Sequence, residues 1–142
     1  MSMTKYEETL QKMVNLSYEE LVERGQYYLA EIMPALNDIA KDGNGAGFLI
    51  AIVGTCVTLD GTLSGLEVQF LNDVLELDAS YDEMFEKFSQ FYCDEAISLS
   101  DKIAQALSSD DKVNLAIFCT CLLAVDEKIA SNENAFIQML LS

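Results

Sequence analysis

The chain has 142 residues, a length that suits a single domain. Its 24 Asp and Glu residues outnumber its 8 Lys and Arg residues, so the formal net charge is −16, which disfavours nucleic acid as a partner because phosphate binding depends on basic side chains. Histidine is absent, which excludes catalytic triads, zinc sites and general bases that use imidazole. The apolar content of 51% is too high for a disordered acidic tail.

The chain begins without the basic and apolar segments of a signal peptide. Its two longest apolar runs, Phe48 to Leu59 and Leu115 to Val125, are shorter than the ~20 residues that span a bilayer. We therefore expect a cytoplasmic protein with no transmembrane segment. In that reducing compartment the four cysteines are expected to be structural thiols.

Apolar residues recur at helical spacing along the whole chain, and long strand-like alternation is missing. Ser17 and Glu20 form a capping box, the pattern in which each side chain bonds the other's backbone N–H, and they open a long helix. Pro34 should kink or split this helix near residue 30, because the proline ring blocks one backbone hydrogen bond. A glycine-rich segment from Lys41 to Gly45 ends it.

Further helices follow, separated by short polar turns. Predicted helices cover Phe48 to Leu59, Ser64 to Leu77 after a second capping box, Ser80 to Tyr92 after a third, Asp94 to Leu107, Ser108 to Asp126 and Asn132 to Leu141. In the third of these, the aromatic residues Phe85, Phe88, Phe91 and Tyr92 are expected to face the core. The sequence thus predicts one all-α domain over residues 1–142, a bundle of seven to eight helices with the two most apolar ones at its centre.

An internal repeat relates residues 48–77 to residues 113–142. A shift of 66 residues places Asp60 on Asp126 and Glu67 on Glu133, and it also places Phe70 on Phe136. Each copy consists of an apolar helix, an acidic turn and an amphipathic helix. This arrangement predicts two helical hairpins related by an approximate two-fold axis.

The motif in the first copy reads VTLDGTLSGLEVQFL, with Asp60 and Gly61 followed by Ser64 and Glu67. It resembles the tellurite-resistance TerB-like family, and the second copy is similar in a weaker form. The resemblance implies an all-helical bundle of about seven helices built from two such halves. It also implies a bacterial protein linked to stress responses, with acidic residues connected with divalent metal ions and with no established catalytic reaction. Glu127 and Ala130 depart from the family pattern in the second copy.

Two hypotheses account for the repeated carboxylates Asp60, Glu67, Asp126 and Glu133. In the structural one, each Asp accepts N–H groups of the following turn and Glu67 closes its capping box. In the other, the four carboxylates hold a hard cation, for which an oxygen-only donor set suits Mg²⁺, Ca²⁺ or Mn²⁺.

Taken with the acidic composition, the resemblance implies a non-enzymatic stress-response and interaction module. Its expected partners are proteins with basic surfaces, which the negative field would attract. Two alternatives stay open: a metal-dependent hydrolase whose four carboxylates converge, and an acidic mimic of nucleic acid.

Overall fold

The computed structural model describes residues 8, 11–13, 15–40, 43–59, 63–91, 93–126 and 131–141. All regular secondary structure in these residues is helical, which confirms the predicted all-α class. Residues 8 and 11–13 are helical, and seven helices follow them, in agreement with the predicted seven to eight. They are α1 (Tyr18–Ile39), α2 (Gly45–Thr58), α3 (Gly65–Leu75), α4 (Tyr81–Ser89), α5 (Asp94–Gln105), α6 (Ser109–Ala124) and α7 (Ser131–Leu141).

All three predicted capping boxes are present, at the starts of α1, α3 and α4. In each box the serine hydroxyl accepts the backbone N–H of the glutamate three residues later, and the glutamate carboxylate accepts the serine N–H. The pairs are Ser17 with Glu20, Ser64 with Glu67, and Ser80 with Glu83. These bonds satisfy N–H groups that an uncapped helix start would leave without partners.

Helix α1 runs without interruption through Pro34, so of the two predicted outcomes, a kink or a split, the split is wrong and the kink stays a prediction. Proline removes one N–H and thereby frees the carbonyl of Ala30, four residues earlier. Both Pro34 and Ala30 are exposed, so water can bond the freed carbonyl. The buried face of the helix, which carries Ile32 and Leu36, keeps its packing.

The core is one continuous cluster of buried apolar side chains drawn from every helix. The apolar helices α2 and α6 contribute many of its members, as predicted for the central pair. Helix α1 packs on both of them, α7 packs on α6, and α4 and α5 pack on α2. No helix among the described residues is long and apolar enough to cross a membrane.

The end of α1 meets the start of α2 at very short range. The Asn37 Oδ1 accepts the Gly45 N–H at 2.8 Å, which satisfies one N–H at the start of α2. A Cβ atom on Gly45 would lie 2.6 Å from the Asn37 backbone nitrogen and 2.7 Å from the Leu36 carbonyl carbon. The close approach of α1 and α2 therefore requires glycine at position 45.

Candidate functional site

The two hairpins of the repeat, α2–α3 and α6–α7, each carry a buried glutamate at the third position of the second helix. Glu67 of α3 is 3% exposed and Glu133 of α7 is 5% exposed. A glutamate at a helix start is normally exposed, and burial of its charge is costly unless polar partners surround it. The burial of both residues makes this region the first candidate site.

Glu67 has the structural role that the sequence predicted. Its Oε1 accepts the Ser64 N–H at 2.9 Å, and its own N–H donates to the Ser64 Oγ at 3.0 Å. A carboxylate in the first turn also interacts favourably with the helix dipole. The capping box at Ser80 shares this geometry but is exposed, so capping alone does not explain why Glu67 is buried.

Both glutamates act on one buried thiol. Cys56 of α2 and Cys119 of α6 are fully buried, and their side chains are hydrogen-bonded to each other. This hydrogen bond raises the pKa of Cys56, and burial and the negative charges of Glu67 and Glu133 raise it further. The Cys56 thiol therefore stays protonated at neutral pH.

Of the two aspartates predicted as metal ligands, the structure describes Asp126. Asp60 lies outside the described residues. Asp126 follows the end of α6 and is partly exposed, with its N–H directed to the Leu123 carbonyl at 3.5 Å. Within the described ranges, no three Cys, Asp or Glu side chains are grouped so that they could hold a metal ion. The four-carboxylate cation site therefore stays a prediction, and Glu67, Asp126 and Glu133 do not form one by themselves.

Asn134, the neighbour of Glu133 in α7, has a buried amide oxygen. Within the described part of the chain, Asn134 Oδ1 is the buried side-chain polar atom with no hydrogen-bond partner. An unpaired buried acceptor costs about 1–3 kcal/mol. It is therefore a position where a donor or a cation would be favourable.

A second candidate is an exposed acidic and aromatic surface on α4, and sequence reasoning missed it. Phe85 was predicted to face the core, but it is 47% exposed, and Tyr81 one turn earlier is 43% exposed. The core-facing side chains of α4 are Met84 and Phe88, and Phe91 beyond its end is half-buried. Tyr92 lies outside the described residues. The spacing of four aromatic residues suggested one stripe, whereas Met84 in fact takes part of the buried face.

A cavity of about 360 Å³ lies between the end of α2 and the start of α5. Its lining includes Thr58, Phe91, Ile97 and the exposed Cys93 next to Asp94. Of the four cysteines, Cys93 is exposed, while Cys121 is buried like the central pair. Asp94 is the one carboxylate among the described residues of this lining, so these residues do not bring together a pair of acid and base groups.

Comparisons with protein-family models, with curated proteins and with solved structures found no match to this chain.

Proposed function

We propose that this chain is a non-enzymatic interaction module that binds protein partners through their basic surfaces. The observation that carries the proposal is the distribution of charge. From Asp42 to Asp101 the sequence contains a single basic residue, Lys87, against twelve acidic ones. Every Asp and Glu between positions 76 and 86 is exposed, so the negative field reaches solvent, where it attracts cationic surfaces.

A charge-matched pair of variants tests this proposal. One variant neutralises three acids of the α4 region (Asp78→Asn, Asp82→Asn and Glu86→Gln), and the other neutralises three exposed acids of α1 (Glu19→Gln, Glu23→Gln and Glu31→Gln). The probe is a lysine-rich peptide, titrated by calorimetry at low and moderate salt. Because the field is local, we expect the α4 variant to lose more affinity than the α1 variant, and both losses to shrink as salt increases. Absence of binding by the unmodified chain at low salt would refute the proposal.

The class of stress-response protein is proposed from the sequence motif alone, through its similarity to TerB-like domains. Expression of the chain in a tellurite-sensitive bacterium would test it. We expect higher survival in tellurite than with an empty vector. A chain with Gly45→Ala, which should be destabilised, serves as the matched control. Equal survival of the wild type and the empty vector would refute the link to tellurite.

A second candidate function is binding of Mg²⁺, Ca²⁺ or Mn²⁺ near the second hairpin. Two observations favour it: the buried carboxylate of Glu133, and the buried Oδ1 of Asn134, the next residue in α7, which lacks a hydrogen-bond partner among the described residues. Carboxylate and amide oxygens are ligands that these hard cations accept.

Thermal unfolding with each cation tests this second candidate, since a ligand that binds only the native state raises the melting temperature. We expect Glu133→Gln to abolish the increase, and Glu83→Gln, a capping glutamate at an exposed site, to retain it. If NaCl at matched ionic strength gives the same increase, general screening explains it and no specific site exists.

A further inference from the structure

The rings of Tyr81 and Phe85 are stacked on the solvent side of α4, with centroids 6.1 Å apart and an interplanar angle of 15°. Leu77, in the turn just before α4, is 48% exposed. Three large apolar side chains are therefore accessible within nine residues of sequence. Single exposed apolar residues are ordinary, but neighbouring ones typically mark an interaction site.

Carboxylates border this aromatic pair. Asp82 and Glu86 follow Tyr81 and Phe85 by one position each, so they form the adjacent ridge of the helix. Asp82 and Phe85 are three residues apart and are therefore neighbours on the helix surface. Glu76 and Asp78 flank Leu77, and all four acids are exposed. The surface thus combines an aromatic centre with an acidic rim.

The backbone that presents this surface is fixed at its beginning. The Asn72 side chain bonds both backbone groups of Ala79: its Nδ2 donates to the carbonyl at 2.9 Å, and its Oδ1 accepts the N–H at 3.0 Å. The capping box of Ser80 and Glu83 then fixes the first turn of α4. Met84 and Phe88 anchor the opposite side of the helix in the core. A surface held in this way loses little conformational entropy when it binds.

We propose that this surface, made of Leu77, Tyr81 and Phe85 with the rim Glu76, Asp78, Asp82 and Glu86, is the docking site for a basic amphipathic helix of a partner protein. The inference rests on the proposed function and gives it a location. Apolar anchors of the partner would cover the two rings, and its Lys or Arg side chains would pair with the rim. Arg would also stack on the exposed ring faces.

The negative charge of this surface favours a basic partner over a second copy of the chain, a membrane or a nucleic acid. A second copy of the chain also carries a net charge of −16, so self-association through this surface would bring like charges together. An anionic membrane surface or a nucleic acid would be repelled by the same rim. A basic partner is the occupant that complements both the apolar centre and the acidic border.

The probe for the experiment is a fluorescent Leu/Lys peptide whose leucines lie on one helical face. A peptide of the same composition with leucines spread around the helix serves as its control. We expect the double variant Tyr81→Ser/Phe85→Ser to bind the amphipathic peptide at least about tenfold more weakly. Tyr27→Ser, which removes an exposed aromatic side chain from α1, should leave the affinity within about twofold.

A second measurement does not depend on any variant. Amide ¹H–¹⁵N spectra of the unmodified chain, recorded with increasing peptide, should show the largest shifts in residues 76–89. If the shifts concentrate elsewhere, or if Tyr27→Ser weakens binding as much as the double variant, the docking site is wrong while binding of basic partners stands. Equal affinity for the two peptides also overturns the docking site. If neither peptide binds the unmodified chain at low salt, the proposed function itself fails.

Discussion

Glu67 and Glu133 are 66 positions apart in the sequence, yet both are buried and both raise the pKa of the same thiol, Cys56. Each is the third residue of the second helix of its hairpin. The repeat therefore preserves more than helix order, because it places a buried carboxylate at the same helix position in both hairpins.

Two buried carboxylates that both act electrostatically on Cys56 should also act on each other, because charges in a protein interior are weakly screened. We expect the free energies of unfolding of Glu67→Gln, Glu133→Gln and the double variant to be non-additive by at least about 0.5 kcal/mol. The same cycle with Glu67 and the exposed Glu20 should be additive. Urea unfolding of the six chains measures both couplings, and additivity of the Glu67 and Glu133 changes would show that the two carboxylates act separately.

Gly45 and Gly47 both lie in the first turn of α2, but Gly45 is crowded by α1 and Gly47 has free space around it. A Cβ on Gly45 would meet α1 backbone atoms at 2.6–2.7 Å, whereas one on Gly47 would have its nearest neighbour, Asn44 Nδ2, at 3.7 Å. We expect Gly45→Ala to destabilise the chain by about 1–3 kcal/mol through overpacking. Gly47→Ala should stabilise it by up to about 1 kcal/mol, because alanine is the better helix former. Thermal and urea unfolding would measure both, and equal effects would contradict the close approach of α1 and α2.

The sequence was a good guide wherever the controlling interaction is local. The capping boxes of Ser17, Ser64 and Ser80 follow from side chains three residues apart, and the structure contains all of them.

The features that were predicted wrongly or missed depend on contacts between segments that are distant in the sequence. Which side of α4 is buried depends on how the helix lies against α2, and this is what leaves Phe85 exposed. The burial of Glu67 likewise depends on packing, since the exposed Glu83 has the same local capping pattern. Periodicity indicates that a stripe exists, but it does not fix the edges of the stripe when an apolar residue such as Met84 competes with an aromatic one.

The four cysteines should differ sharply in reactivity towards a thiol reagent. Cys93 is exposed, whereas Cys56, Cys119 and Cys121 are buried. Burial, the largest cause, raises the pKa of Cys121 to about 12, so the reactive thiolate is scarce as well as inaccessible. We expect one thiol to react rapidly in the native chain and the other three only on unfolding. Cys93→Ser should abolish the rapid phase, and a rapid phase that persists in this variant would contradict the burial of the other three.

The capping box of α4 predicts a specific dependence of stability on pH. Hydrogen bonds from the Ser80 backbone N–H and side chain lower the pKa of Glu83 below its ordinary value of 4.5. A carboxyl whose pKa is lower in the folded state stabilises the fold above the unfolded-state pKa, and this contribution disappears as the pH falls through the folded-state pKa. The stability difference between the wild type and Glu83→Gln should therefore be fully present at neutral pH and should shrink below about pH 4.5.

Urea unfolding between neutral pH and about pH 3 measures this difference. Glu86→Gln removes the same charge from α4 at a position outside the capping box, so it controls for the change in net charge. A difference for Glu83→Gln that stays constant over the whole pH range would show that the ionised carboxylate does not contribute through the cap.

Asn72 joins the end of α3 to the start of α4 through its two bonds to Ala79. Asn72→Ala would leave both backbone groups of Ala79 without these partners, and we expect a loss of about 1–3 kcal/mol in the free energy of unfolding. Asn72→Asp keeps an acceptor for the N–H but has no donor for the carbonyl, so its loss should be smaller. Asn15→Ala, which removes one exposed bond to the Gln11 carbonyl, is the matched control and should cost least. If all three variants have the same stability, the two hydrogen bonds between Asn72 and Ala79 do not fix the start of α4. The aromatic surface must then be held by the core contacts of Met84 and Phe88 alone.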